Sequence, residues 1–350
     1  MKFLPRGGGH PIMILNRYLA LLVHLGLVGL SLPQIVSAAN NEIQPTSHTV
    51  PTTLPAQSLG NQALGSQVTF AQQPAQVGDR VAQTVNVDLQ IHTTITQAEQ
   101  RANESQTSLK RRQQRFVEVL EVVDGNVRRA HVSYPLSRMT QTHVNSPEEA
   151  HLKKTQPKKT LPKNDQPEQE VAQAVEKKSY FVTRAGERLL VTDAEGAIPP
   201  QAEFEIVVTS LQNLGLPNPL IQFLLGRTIR VGERLQLPQE IAEQLMGFGE
   251  QFGKVEQFEL ELKSVQQIDG QPCAVFVATI EAVGEPANPI RIRAFGQIVI
   301  QTKTCRTVRA ELSGPLTLST AEHTPAGSFQ YSARGNMHIA IESQYGHARR

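Results

Sequence analysis

The chain of 350 residues carries 34 Lys and Arg against 32 Asp and Glu, with no Trp, 5% aromatic residues and two cysteines. So near neutrality it offers no global electrostatic argument for binding nucleic acid or an anionic membrane. The scarcity of aromatic rings weakens any reading built on stacking platforms, such as sugar binding or single-stranded nucleic acid, but does not exclude an apolar pocket.

Met1 to Ala38 reads as an export signal. Lys2, Arg6 and Arg17 precede an apolar run, Leu19 to Leu30, that ends in Val36-Ser37-Ala38, the charged, apolar, small-residue order of a cleavable secretory segment. The alternative is an uncleaved anchor, but the run is shorter than the ~20 residues a span needs. Met13 opens a more ordinary signal than Met1, and no cysteine follows the run to accept a lipid. Removal takes three of the 34 basic residues and no acid, leaving 31 − 32 = −1. The expected product is periplasmic or secreted, touching a membrane only through its signal.

Residues 39–76 are Thr, Gln, Pro, Ser and Asn with one charge, Glu42, and apolar residues that keep no period. Such a segment buries too little to offset its ordering entropy, so a disordered tether is predicted. From Val77 onward the character changes. Val85, Val87, Leu89 and Ile91 alternate with Asn86, Asp88, Gln90 and His92, the period-two pattern of a strand with one wet face. The pattern recurs at Phe258, Leu260 and Leu262, at Ile290 and Ile292, and at Val308, Ala310 and Leu312. It runs longest through Phe329, Tyr331, Ala333, Gly335, Met337, Ile339 and Ile341. Alternation of this kind argues for antiparallel pairing with one solvated side. Asp124-Gly125 and Asp269-Gly270 lie between extended runs and predict two tight hairpins.

The polar stretch 146–178, with Lys and Pro spread through its first part and acids through its second, is expected to be a solvated loop rather than a basic docking strip. Phe204, Val207, Val208, Leu211 and Leu214 then recur at helical spacing, with Glu203, Glu205 and Thr209 opposite and Gly215 where a cap belongs, which predicts a helix on a core. Asn218-Pro219 gives an N-cap and a proline at the first helical position before the apolar Leu220 to Leu225. Pro238 opens a third helix, Gln239 to Met246. Val77-Gly-Asp-Arg80 resembles Val231-Gly-Glu-Arg234, so halves 77–197 and 231–343 form a candidate duplication; the alternative is that strand entries reuse the same residues.

Few residues propose chemistry. Gly249 and Gly253 are separated by three residues and Val255 follows Lys254, where a phosphate loop needs four residues and then a hydroxyl. There is no Gly-x-Ser-x-Gly nucleophile elbow, and the histidines lack ligand spacing. His92 and His338 fall on polar strand faces, and Asp193 and Glu195 flank a turn at Gly196; surface roles are expected for all four. No catalytic residue, metal site or cofactor is predicted. Cys273 and Cys305 fall in predicted strands of one carboxy-terminal sheet. In an oxidising compartment a disulfide between them would stabilise by roughly 3–4 kcal/mol; two buried free thiols are the alternative.

Leu216-Pro-Asn-Pro-Leu220, Val231-Gly-Glu233, Leu237-Pro238, Asp269-Gly270 and Cys273-Ala-Val-Phe276 resemble words shared by a family of uncharacterised exported bacterial proteins. The resemblance covers the carboxy-terminal half. It implies the compartment and no activity.

The fold expected is mainly β (α+β): one domain over 77–350 built on a large, bent antiparallel sheet, a barrel or half-barrel, with a few short helices between two strand-rich regions. An apolar sheet face of this size left in water marks an interaction site or an aggregation hazard. The expected role is therefore non-catalytic: structural, binding an envelope protein partner, or holding a lipid or other apolar ligand against the concave face, as lipoprotein-carrier half-barrels do. Val87, Leu89, Leu260, Leu262, Tyr331, Met337 and Ile339 are the residues expected to line that face, although a closed core would use the same side chains. The alternative is an exported hydrolase-like enzyme without a recognisable motif.

Overall fold

The computed structural model describes residues 67–97, 100–145, 170–246, 253–284, 290–324 and 327–347. The export signal, most of the tether, the bulk of the 146–178 loop and Gly247 to Phe252 lie outside them. Within them the chain is mainly β. The strands are β1 (Gln67–Thr69), β2 (Asp79–Gln97), β3 (Gln100–Val123), β4 (Asn126–Asn145), β5 (Val171–Ala172), β6 (Lys178–Ala185), β7 (Arg188–Thr192), β8 (Thr228–Arg230), β9 (Arg234–Gln236), β10 (Lys254–Ile268), β11 (Gln271–Val283), β12 (Ile290–Gln301), β13 (Thr307–Thr324) and β14 (Gly327–His347). Three helices, α1 (Gln201–Leu211), α2 (Pro219–Leu224) and α3 (Gln239–Met246), stand between the two strand-rich regions.

Twelve strands form one antiparallel sheet in the order β7-β6-β4-β3-β2-β14-β13-β12-β11-β10-β9, with β5 beside β4. No pairing joins β7 to β9 among the described residues, so the sheet is open rather than a closed barrel. Its two outermost strands have only five and three residues, and β9 pairs with only Glu259 to Glu261 of the 15-residue β10. The middle is long: β3 has 24 residues, roughly 80 Å at the usual rise. Both Asp-Gly turns are two-residue hairpins, with positive φ at Asp124, Gly125, Asp269 and Gly270 and closing pairs Val123↔Asn126 and Ile268↔Gln271.

One face, here the inner face, carries the core. Val85, Val87, Leu89 and Ile91 of β2 continue across Met337, Ile339 and Ile341 of β14 and Leu312 of β13, through to Leu260 and Leu262 of β10, as a single buried apolar cluster. Three inner-face glycines make a diagonal across it: Gly296 on β12, Gly314 on β13 and Gly335 on β14. A Cβ at each would meet a carbonyl oxygen of the neighbouring strand at 1.8, 1.9 and 2.1 Å respectively. Only glycine permits that approach, and such a row is how a sheet bends sharply along a line.

Cover for the inner face comes from both lateral ends. At one, α3 packs on β10 and Phe70 stacks on Phe276 at 6.0 Å. The side chain of Asn218 caps α2 by accepting from Leu220 N and Ile221 N at 2.9 and 3.3 Å. At the other end α1 packs on β7 over a second cluster that includes Val117, Val132, Tyr134, Val182 and Val207.

Four sequence expectations need correction. The tether ends earlier than Gln76: β1 pairs with β8, and Val68 and Phe70 join the core. Burying Phe70 alone contributes about 2–3 kcal/mol, but its partners lie about 160 residues along the chain, so no local period announces it. The solvated loop is likewise shorter than 146–178, because Val171–Ala172 pairs with β4 and Val175 is buried. Glu203 does not face solvent. It is buried on α1, accepting from Tyr180 Oη at 2.6 Å and Lys178 Nζ at 2.7 Å, which compensates the carboxylate for lost water. Val308 leaves the face of Ala310 and Leu312, since a bulge lies between Val299↔Arg309 and Ile300↔Thr307. One extra residue turns Val308 to the outer side, where it packs with Cys273, Val275 and Val299.

Candidate functional site on the inner face of the sheet

Six of the seven residues expected to line the face lie in the large cluster: Val87, Leu89, Leu260, Leu262, Met337 and Ile339 are each at most 6% exposed. Tyr331 shares their alternation but sits half-buried toward the hairpin tip. Leu109, Leu89 and Met337 form one row across β3, β2 and β14, and Arg111, Val87 and Ile339 form the next. The sequence thus identified a real face, and in this structure its apolar part is closed core.

Sequence reasoning missed how that face changes character at β3 and β4. The alternation of β2 continues in register onto β3, where the inner positions are Ser105, Thr107, Leu109, Arg111, Gln113, Arg115, Val117 and Val119. All eight are buried. A polar belt is therefore enclosed beside the apolar one. Gln113 Nε2 donates to Ser137 Oγ at 3.1 Å, Ser137 Oγ to Gln173 Oε1 at 2.9 Å, and Gln83 Nε2 to Ser343 Oγ at 3.0 Å. Thr107 Oγ1 lies 3.0 Å from His143 Nδ1.

The two arginines of the belt differ. Arg115 has no exposed surface and is built into the scaffold: its guanidinium donates to the backbone carbonyl of Ser210 in the last turn of α1 and to Gln83 Oε1. Tyr134 Oη lies 2.5 Å from Ser210 Oγ, which ties the same helix end to β4. Arg111 is 4% exposed, yet it makes no hydrogen bond or ion pair among the described residues, and its Nε is enclosed without a partner. Burial pushes both guanidinium pKa values down to about 10, so both remain cationic at neutral pH. The inner-side acids are engaged elsewhere: Asp79 with Arg306 at 3.0 Å and His347 at 3.1 Å, Glu203 with Lys178, and Glu176 with Arg138.

The remaining candidates are structural. His92 pairs with Glu104 at 2.7 Å and His338 with Glu311 at 3.1 Å, so each has its own carboxylate on the outer surface. Asp193 Oδ1 accepts from Glu195 N and Ala197 N at 3.1 and 2.8 Å, a local turn. Among the described residues no group of three His, Cys, Asp or Glu could hold a metal. A groove of about 540 Å³ opens on the outer side beside Phe116, Glu118, His131 and Gln344.

The disulfide is not formed: Cys273 and Cys305 are buried free thiols. Cys273 sits in the outer-side cluster with Val275 and Val299, whereas Cys305 belongs to the inner core. The sheet stands between them. Burial, with Asp269 nearby, pushes the Cys273 thiol up to about 11, and burial pushes Cys305 up to about 12. At pH 8 roughly a thousandth or less is thiolate, the reactive form. Ellman titration without reductant should find no fast-reacting thiol in the native protein and two after denaturation; none after denaturation would restore the bond.

Fold and site together define an open, bent antiparallel sheet whose buried inner face is apolar over most of its area, with a polar belt centred on β3. No family model and no curated protein matches the chain. Among solved structures, one of lipovitellin, described as showing lipid-protein interactions, is 10% identical with a TM-score of 0.36, covering 79% of this chain and 26% of that one. The translocator domain of the autotransporter NalP from Neisseria meningitidis is 6% identical with a TM-score of 0.17, covering 77% and 89%. The chain thus spans about a quarter of the lipovitellin chain, and likenesses this slight carry no argument. Among the described residues no helix is long and apolar enough to cross a membrane.

Proposed function

We propose that this is an exported, non-catalytic binding protein of the periplasm or exterior that holds a lipid or other apolar molecule on the inner face of its sheet. The observation that supports it is the mixed lining of that face. Much of the belt of Gln, Ser, Thr and Arg115 beside the aliphatic rows is hydrogen-bonded scaffold, but Arg111 is buried with no side-chain partner, and a polar group buried without one costs free energy. A site for a molecule with an apolar body and a polar end needs both kinds of surface, in contact.

The test is extraction from the purified mature chain. Native mass spectrometry should find a mass excess that chloroform and methanol release, with a lipid-like molecule in the organic phase. A chain at its bare mass, from which nothing apolar is extracted and which takes up no lipid in solution, would reject the reading.

A further inference from the structure

Resting on that reading, we propose that Arg111 anchors an anion subsite and that the molecule held on the inner face is an amphiphile with a negatively charged head, a phosphate or carboxylate on an acyl chain. Arg111 is all but enclosed, and no hydrogen bond or ion pair engages it among the described residues. A guanidinium has five donors in a planar fork and is a costly group to bury without a counter-charge. The acid that approaches this part of β4, Glu176, does not supply one: it accepts from Ser137 N and is bonded to Arg138. Arg115, the next charged residue on the same face of β3, adds positive potential instead of cancelling it.

The surroundings say what kind of anion fits. The register partners of Arg111 are Val87 on β2 and Met139 on β4, so the cation stands between apolar side chains at the border of the polar belt. Its two terminal nitrogens have no partner and, unlike Nε, are not among the fully enclosed atoms, so an incoming oxygen can reach them. A head held there in bidentate fashion would lie one row from Leu109, Leu89 and Met337, buried residues along which a chain extends only by displacing what now packs on them. A free inorganic anion would gain nothing from that aliphatic row, whereas an amphiphile uses both parts.

The experiment uses the full mature chain, stripped of lipid, with oleoyl lysophosphatidic acid and monooleoylglycerol as probes of the same chain length. The wild type should bind the phosphate-headed probe at least ten-fold more tightly than the neutral one. Arg111→Met should abolish that preference by weakening the binding of the phosphate-headed probe at least ten-fold, and Arg111→Lys should retain part of it. Without ligand, Arg111→Met should melt no lower than the wild type, because it removes an uncompensated buried charge. Equal affinity of the wild type for both probes, or an Arg111→Met variant that keeps the preference, would overturn the anchor while leaving the binding function intact. So would a strong drop in melting temperature, which would make Arg111 a scaffold residue, or inorganic phosphate binding as tightly as the lipid. Failure of both probes to bind would instead remove the function on which the anchor rests.

Discussion

Gly314→Ala is expected to destabilise the protein by about 3 kcal/mol or more. The added Cβ would stand 1.9 Å from the carbonyl oxygen of Arg293, 2.9 Å from its carbon and 3.1 Å from Cα of Ala294. These are backbone atoms of β12, so no rotamer relieves the contact, and the β12 and β13 strands must separate by more than an ångström. Overpacking relieved by side chains costs 1–3 kcal/mol, so a conflict that only strand movement can relieve belongs at or above the top of that range. In a chain of this size the melting temperature should fall by about 5 °C or more. Gly346→Ala is the control, because its Cβ would meet nothing within 4 Å and should change stability by less than about 0.5 kcal/mol. Equal melting temperatures for the two variants would show that the close strand approach at Gly314 does not exclude a side chain.

The bend itself was only half legible in the sequence. Alternation of Val87, Leu89, Met337 and Ile339 with polar residues fixed the strand faces, and Asp-Gly fixed the two hairpins, because both signals are local: a period of two, and a turn that needs positive φ. The cap at Asn218 was readable for the same reason. Gly335 could be assigned to the apolar face, but not to a line with Gly296 and Gly314, since that depends on register between strands. The Arg111 and Arg115 belt was missed for a subtler reason. Lys110-Arg-Arg-Gln-Gln-Arg115 is wholly polar, so it shows no alternation and looks solvated. The phase was available on either side: carrying the odd positions from Leu109 to Val117 and Val119 places Arg111, Gln113 and Arg115 inward and Phe116 outward, where it is 51% exposed. A polar run that continues the phase of a neighbouring apolar alternation, here Val117 and Val119 with Leu109 on its other side, is therefore a sign of buried polar groups, and here it pointed to the candidate site.

Arg115→Ala should cost about 3 kcal/mol, even though burying a guanidinium is itself unfavourable. Deleting the side chain recovers the desolvation cost of the cation, several kcal/mol. Against that, the Ser210 carbonyl and Gln83 Oε1 lose the donor that serves them, at about 1–3 kcal/mol for each acceptor left bare. The cation at the carboxy-terminal end of α1 is also lost, worth up to about 2 kcal/mol in a buried setting, and a cavity the size of the side chain opens between α1 and β3. The losses exceed the gain. Arg115→Met separates them, because it refills most of the volume without restoring a donor, so it should fall between the wild type and Arg115→Ala in urea unfolding. If Arg115→Met were as stable as the wild type, the hydrogen bonds to α1 would contribute nothing, and Arg115 would have to join Arg111 as a charge awaiting an anion. If it is destabilised as expected, the two arginines divide the work. One holds the helix over the sheet, and the other is left with its donors unspent, two residues of the same strand face away.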